Sequence, residues 1–334
     1  MDDEPRSAPP ADDTARRGGS RTGARVSAVV GAVLGGAAAV YVVRRLVADW
    51  PEAEAAMRDA NLWWIAAGAV AAGAAMTLMG AGWRGVLGLL GVRVPMGRVI
   101  AWYYVGELGK YLPGGVWPVL GRGELARRGG VPRGRAYASV GMSLGLLYLA
   151  ALFVATAFLP FALSGGGFDP WMLFLLALPV GIVALHHSVL ERLLALISRA
   201  TGRSIGFDVP RWGDSLRLVA NYVPSWLFVG AGTWAIARAL DPNASFSRVV
   251  FATVLSWVAG FLAVPVPAGA GVREAVLAAS SGLGGGVAAA TAIIARVLFV
   301  VADVVGAALS APAAGRRRGG ATVGPVGGRA EPVD

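Results

Sequence analysis

Apolar residues form long continuous runs along this chain, and polar residues collect between the runs and at both ends. Several uncharged runs reach or exceed the roughly 20 residues that an α-helix needs to cross the hydrocarbon core of a bilayer. The pattern therefore predicts an all-α fold, a polytopic helical membrane protein with about six to eight spans. The uninterrupted spans are predicted at residues 26–47, 62–83, 136–163, 171–185, 216–240 and 287–311.

One apolar run is too short to cross the membrane. Residues 99–112 would form a helix of roughly 21 Å at a rise of about 1.5 Å per residue, and the run ends at Pro113-Gly114-Gly115. Basic segments lie on both sides of it, which indicates that the chain enters from the inner face and returns there. We expect a broken or re-entrant helix, which is tolerated at membrane depth only when it is buried in protein or lines a wet cavity.

A second break follows the apolar run at residues 246–266, where the sequence PVPAGAG occupies residues 265–271. The length of this run alone leaves both a spanning and a re-entrant helix open. If the run simply crossed, the basic cluster Arg316-Arg317-Arg318 would be left on the outer side. The positive-inside rule therefore favours a second re-entrant helix, which enters from the opposite face.

The two breaks also resemble each other. The segments YLPGGVWPVLGRGELARRGGV and VPVPAGAGVREAVLAASSGL both lead from an apolar helix through a Pro/Gly turn to an Arg, a Glu and another helical stretch. This similarity predicts two inverted halves, at about residues 26–163 and 170–312. Transporters built from inverted repeats bind their substrates where the interrupted helices meet.

Composition narrows the functional classes. The chain is 56% hydrophobic and 15% charged, whereas soluble domains carry about a quarter charged residues. The net charge of +10 does not indicate nucleic-acid binding, because the arginines lie between the apolar runs and at the ends, as in membrane proteins. We expect a multi-pass protein of the bacterial inner membrane, with disordered cytoplasmic tails at residues 1–25 and 313–334.

Cysteine is absent, and His186 and His187 are the only histidines. Disulfides, thiolate metal sites, a cysteine nucleophile and iron–sulfur clusters are therefore excluded. No ATP-binding or other nucleotide-binding motif is present. We expect neither a cofactor nor a metal ion.

Cationic residues near the two breaks are candidates for binding an anionic group. The half-helices after the breaks begin near Val116 and Val272, and the unpaired N–H groups of such ends attract anions. Lys110, Arg122 and Arg273 add full positive charges that could meet a lipid phosphate. Lys110 is the only lysine in the chain, which points to a specific need for an ammonium group there.

Acidic residues accompany these cations. Glu107, Glu124 and Glu274 could pair with them or face a cationic headgroup. A purely structural alternative remains open, in which such groups pair locally or reach the interface. Further along, Arg296 and Asp303 lie seven residues apart on one helical face, and we expect a structural ion pair between them inside the bundle.

The segments GELGKYLPGGVW and PVPAGAGVREAVL resemble a known family. They are similar to the transmembrane, flippase-like domain of lysylphosphatidylglycerol synthases (multiple peptide resistance factors) and its stand-alone bacterial relatives, over about residues 26–312. The resemblance implies an inner-membrane protein that moves an aminoacylated or otherwise modified phospholipid between leaflets. The matching positions, which the resemblance assigns to substrate binding, are Lys110, Pro113, Gly114, Gly115, Gly269, Gly271, Arg273 and Glu274.

The chain departs from the bifunctional members of that family, which carry a large soluble synthase domain after the spans. We therefore expect no aminoacyl-transferase activity. The substrate could be an aminoacylated phospholipid, and it could equally be another phospholipid, a glycolipid or a polyprenyl-linked intermediate. A lipid-modifying enzyme is the expected protein partner. The sequence names neither the lipid nor the energy source.

Two other functions remain open at this stage. The chain could be a membrane-embedded transferase that uses a lipid-linked donor, with a divalent cation held by the acidic connector Asp49, Glu52, Glu54 and Asp59. It could also be a non-transporting scaffold for a lipid-modifying enzyme. The translocase interpretation is preferred, because the loops are too short to form an obvious acceptor-binding domain.

Overall fold

A computed structural model describes residues 50–111, 116–163, 177–184, 211–263, 269–314 and 322–323. The predicted first span, most of the predicted span at 171–185, the N-terminal tail and the three residues Pro113, Gly114 and Gly115 lie outside these ranges. The helices are α1 (Trp50–Arg58), α2 (Leu62–Leu89), α3 (Met96–Glu107), α4 (Trp117–Arg128), α5 (Arg133–Leu163), α6 (Ala177–Ala184), α7 (Trp212–Leu240), α8 (Phe246–Leu262), α9 (Val272–Ser280) and α10 (Gly285–Ala314).

Long helices form wherever the sequence has a long apolar run. Within the described ranges, α2, α5 and α10 are long and apolar enough to cross a membrane. Helix α7 has a similar length of 29 residues but carries Asp214 in its first turn and Arg238 in its last. The all-α fold of a helical membrane protein is confirmed.

The helices beside the two breaks are short. Helix α3 has 12 residues and continues as a 3₁₀ turn, Leu108–Tyr111, and α8 has 17 residues. At about 1.5 Å per residue, each is shorter than the roughly 30 Å core of a bilayer. A second short helix follows each break, α4 after the first and α9 after the second. Helix α9 begins at Val272 as predicted, and α4 begins one residue later than expected.

Two of the long helices, α2 and α7, run antiparallel and approach each other closely through glycine. Gly68 near the start of α2 lies against Gly232 near the end of α7, and a Cβ on Gly68 would lie 3.0 Å from the Gly232 carbonyl oxygen. At the other end of the contact, Gly82 faces the ring of Tyr222, and Gly85 faces Leu218. Small residues of this kind allow the close helix packing that membrane interiors favour.

The short helices pack across the long ones. Helix α3 lies on α10, where the ring of Tyr104 covers Gly306. Helix α8 lies on α5, where Phe246 meets Phe158 and Phe261 stacks on Tyr148 with ring centroids 3.9 Å apart. In both pairs the start of the short helix lies near the end of the long one.

Aromatic side chains dominate the core, and their polar atoms are hydrogen-bonded. The indole N–H of Trp83 donates to the Ser139 hydroxyl at 3.0 Å, and that of Trp226 donates to the Leu147 carbonyl at 2.7 Å. The Tyr222 hydroxyl lies 2.8 Å from that of Ser143. Because buried polar groups are costly when unpaired, these bonds help to fix how the helices are positioned against each other.

Two residues of the C-terminal segment differ from the predicted disorder. Thr322–Val323 form a short strand, β2, which pairs antiparallel with β1 (Val92–Arg93) in the connection between α2 and α3. Through this pairing, the C-terminal segment contacts the connection that precedes α3. Periodicity could not reveal it, because a two-residue strand has no pattern of its own.

Candidate functional site

A cavity lies where the 3₁₀ turn at the end of α3 meets the start of α9. The 3₁₀ turn contributes Lys110 and Tyr111, and α9 contributes Arg273 and Glu274. Helices α7, α8 and α10 complete the walls, mostly with small, hydroxyl-bearing or aromatic residues. The lining residues are Lys110, Tyr111, Thr233, Thr253, Ser256, Trp257, Arg273, Glu274, Leu277, Ala292, Ala295, Arg296, Phe299 and Val300.

Arg273 reaches this cavity because glycine makes room for its side chain. A Cβ on Gly260 of α8 would overlap Arg273, and Gly269, with φ of 64°, packs directly on Gly260. The Arg273 guanidinium lies 3.5 Å from the centre of the Trp257 ring, a cation–π contact worth up to about 2 kcal/mol when desolvated. Within the described residues it makes no ion pair. Arg273 therefore has hydrogen-bonding capacity left for a ligand.

Glu274 occupies the start of α9. One carboxylate oxygen accepts the backbone N–H of Gly271, and the other pairs with Arg296. The sequence predicted that the N–H groups at this helix start would be open to an anion, and for Gly271 this is wrong. A negative side chain already takes the place that a phosphate would have used.

At the end of α3, Lys110 lies closer to Asp303 than to Glu107. The Lys110 ammonium lies 2.6 Å from Asp303 Oδ2, and the Tyr111 hydroxyl donates to the same oxygen at 2.6 Å. Asp303 is fully buried, and its Oδ1 has no hydrogen-bond partner among the residues that the structure describes.

The predicted ion pair between Arg296 and Asp303 is wrong. Arg296 pairs with Glu274 and Asp303 with Lys110, and no ion pair joins Arg296 to Asp303. The reason is that α9 and the 3₁₀ turn each bring an oppositely charged side chain to α10, which leaves neither residue for the other.

Arg122 and Glu107 lie away from the cavity. Arg122 is 1% exposed, its Nε is 3.4 Å from Glu107 Oε1, and its guanidinium lies 5.3 Å from the centre of the Tyr103 ring. Neither residue lines the cavity. Their arrangement is that of a buried structural pair between two helices, which differs from the local or interfacial pairing considered from the sequence.

Glu124 is also separate from the cavity. It lies on the outer side of α4 and pairs with Arg127 and Arg128 at 2.7 and 2.9 Å. Hydrogen bonds from Arg127 and then Arg128 lower the pKa of Glu124 to about 2. These contacts bring three charged residues together at a basic helix end, not at a binding pocket.

The family model for the lysylphosphatidylglycerol synthase TM region matches residues 28–310. The chain belongs to this family. The match spans both short-helix pairs and all the cavity-lining residues, and it confirms the resemblance inferred from GELGKYLPGGVW and PVPAGAGVREAVL. No curated protein matches the chain.

In this member of the lysylphosphatidylglycerol synthase TM family, sequence reasoning missed one important site residue, Trp257. A recurring spacing could have revealed it. Tyr103 lies three residues before Gly106, and Trp257 lies three residues before Gly260. Each glycine contacts the arginine of the next short helix, and each aromatic ring lies under that arginine. The position after the glycine differs, since Glu107 follows the first and Phe261 the second.

That difference explains the distinct roles of the two arginines. In the first four-helix unit, α2 to α5, Glu107 follows the glycine and pairs with Arg122. In the second unit, α7 to α10, phenylalanine occupies the equivalent position, and Arg273 keeps its charge for the cavity. The same local geometry thus supports a structural pair in one unit and an available cation in the other.

Proposed function

We propose that this protein is a lipid translocase, which moves a phospholipid between leaflets with the headgroup held in the cavity between the two short-helix pairs. The observation that carries the proposal is Arg273, a cation at the cavity wall that lies on an aromatic ring and has no carboxylate partner among the described residues. An arginine in an apolar protein is costly unless paired, and such residues mark substrate pathways. The guanidinium group can donate two parallel hydrogen bonds to two oxygens of a phosphate group.

The arrangement of the helices supports alternating access. Helices α2 and α7 occupy equivalent places in their four-helix units, and they pack antiparallel. The first short helix of each unit lies on the last long helix of the other, α3 on α10 and α8 on α5. Both features are those of two units with opposite orientation, in which rocking of one unit against the other exposes a central site to either side.

The proposal extends to location and partners. The basic connections and the Arg316-Arg317-Arg318 cluster favour an inner-membrane protein with both ends in the cytoplasm. A lipid-modifying enzyme would supply the substrate. For the transferase alternative the described residues offer little, since Glu54 of the acidic connector is already paired with Arg58 at 2.6 Å. Translocation without an enzymatic step is therefore the function we propose.

Leaflet exchange of labelled phospholipid in proteoliposomes tests the proposal. The wild-type chain should accelerate exchange over empty vesicles, and Arg273→Gln should slow it about tenfold or more, since one hydrogen bond to a charged group contributes about 1.5–3 kcal/mol. Arg133→Gln, which removes an exposed arginine outside the cavity, should exchange at the wild-type rate. Equal rates for wild-type protein and empty vesicles would refute translocation.

A further inference from the structure

Among the described residues, one cation that faces the cavity has no carboxylate partner. Lys110, Arg273 and Arg296 line the cavity. Lys110 pairs with Asp303 and Arg296 with Glu274, which leaves Arg273 as the unpaired positive charge. The sequence stretches that lead from Tyr111 to α4 and from α8 to α9 contain neither acidic nor basic residues, so they leave this charge balance unchanged.

Every carboxylate near the cavity already has a cationic partner. Glu274 pairs with Arg296 and accepts the Gly271 N–H, so both of its oxygens are used. Asp303 holds Lys110, and Glu107 lies between Arg122 at 3.4 Å and Lys110 at 3.7 Å. Asp303 keeps one carboxylate oxygen without a hydrogen bond among the described residues, but Asp303 is fully buried and does not line the cavity. Glu274 is the one carboxylate among the described lining residues, and it has no oxygen left to receive an ammonium group from a ligand.

The uncharged polar groups present oxygen lone pairs. The Thr253 hydroxyl donates to the Val249 carbonyl at 2.6 Å, and the Ser256 hydroxyl donates to the Thr253 carbonyl at 2.7 Å. Both hydroxyls spend their hydrogen on the backbone and keep lone pairs towards the cavity. They can accept hydrogen bonds from the hydroxyls of a glycerol-type headgroup beside a phosphate bound at Arg273.

We propose that the cavity selects lipids whose headgroup carries a net negative charge and hydroxyl groups, as in phosphatidylglycerol, and rejects aminoacylated lipids. This inference rests on the proposed translocase function and specifies its substrate. A lysyl ester adds two ammonium groups, which would face the unpaired Arg273 guanidinium, while the cavity-lining carboxylate of Glu274 is already occupied. Like charges brought together in a poorly solvated site are strongly disfavoured, and such repulsion is an effective source of specificity.

The test compares labelled phosphatidylglycerol, phosphatidylethanolamine and lysylphosphatidylglycerol as tracers in proteoliposomes of the full chain. We expect phosphatidylglycerol to exchange about tenfold or more faster than the lysyl lipid, with the zwitterionic lipid between them. Arg273→Gln should reduce that ratio, whereas Arg273→Lys, which keeps the charge, and Arg133→Gln should retain it. An equal or faster rate for the lysyl lipid in the wild-type protein overturns the selectivity.

A second readout separates failure of selectivity from failure of translocation. If no lipid exchanges faster than in empty vesicles, the translocase function fails, and lipid binding in detergent then decides the selectivity. The thermal unfolding midpoint of the wild-type chain should rise more with phosphatidylglycerol than with the lysyl lipid, because ligands that bind the folded state raise its stability. A larger rise with the lysyl lipid overturns the inference.

Discussion

Lys110 takes part in two ion pairs, at 2.6 Å from Asp303 and at 3.7 Å from Glu107. Its partner Asp303 is fully buried, and Tyr111 donates to the oxygen that also receives the lysine. An ionised carboxylate in such a place depends on its cation, because the desolvation of an unpaired charge costs several kcal/mol. The only lysine of the chain therefore has a structural role as well as a place at the cavity wall.

Removal of this lysine should destabilise the protein more than removal of the whole pair. Lys110→Met should lower the free energy of unfolding by about 3 kcal/mol, the lower end of the range for broken buried pairs, since the Lys110 side chain is 17% exposed. The double variant Lys110→Met with Asp303→Asn should lose less than the single one, because it leaves no uncompensated charge. Reversible unfolding in mixed detergent measures both, and a double variant as unstable as the sum of the single ones would contradict the coupling.

At the scale of helices, the close contact of α8 with α9 determines where Arg273 points. Gly260 and Gly269 let the two backbones approach, and the absence of a Cβ on Gly260 leaves the path of the arginine side chain open. Trp257 then lies under the guanidinium. The position of the cation is thus a property of two helices and the glycines between them, and a change on α8 alone should disturb it.

Gly260→Ala tests this dependence. Its methyl group would overlap the Arg273 side chain and force the guanidinium away from Trp257. We therefore expect the rate of lipid exchange to fall several-fold. Gly145→Ala is the matched control, because a Cβ there meets nothing within 4 Å. Exchange in proteoliposomes gives the comparison. An unchanged exchange rate in a folded Gly260→Ala variant would show that transport does not depend on the position of the Arg273 side chain.

Much of the helical architecture could be predicted from hydrophobic runs alone. Helix α2 starts at the predicted Leu62, and α9 starts at the predicted Val272 after its Pro/Gly break. The lengths were underestimated where polar or small residues continue a helix, since α2 runs on past Trp83 to Leu89. Periodicity identifies an element well, but the ends depend on the contacts that cover them.

The ion-pair partners could not be predicted in the same way. Arg296 and Asp303 share one face of α10, which made a mutual pair the natural expectation from sequence. The actual partners come from Glu274 and Lys110, which lie far away in sequence and reach α10 only after the short helices dock. Charge pairing is a tertiary property, and one helix considered alone cannot reveal it.

At the scale of the whole molecule, the cavity is lined mainly by the second four-helix unit, α7 to α10, and the end of α3 in the first unit, α2 to α5, adds Lys110 and Tyr111. Each unit runs long, short, short and long, and each contributes the residues beside its break to the same space. Equivalent positions have diverged, with Arg122 neutralised by Glu107 and Arg273 left to the cavity. In the translocase that we propose, a site shared by two units of opposite orientation would present a central headgroup to either leaflet.

Access to the cavity from the two sides of the membrane is the most direct test of this account. The chain has no cysteine, so Ser256→Cys places a single thiol in the cavity wall, and Ser225→Cys provides a control thiol at a fully buried position outside the cavity. We expect a membrane-impermeant thiol reagent to label the Ser256→Cys variant from either side of a proteoliposome, and phosphatidylglycerol to slow this labelling. The control should stay unlabelled. Labelling from one side only, at a rate that lipid does not change, would contradict a cavity that carries a headgroup between leaflets.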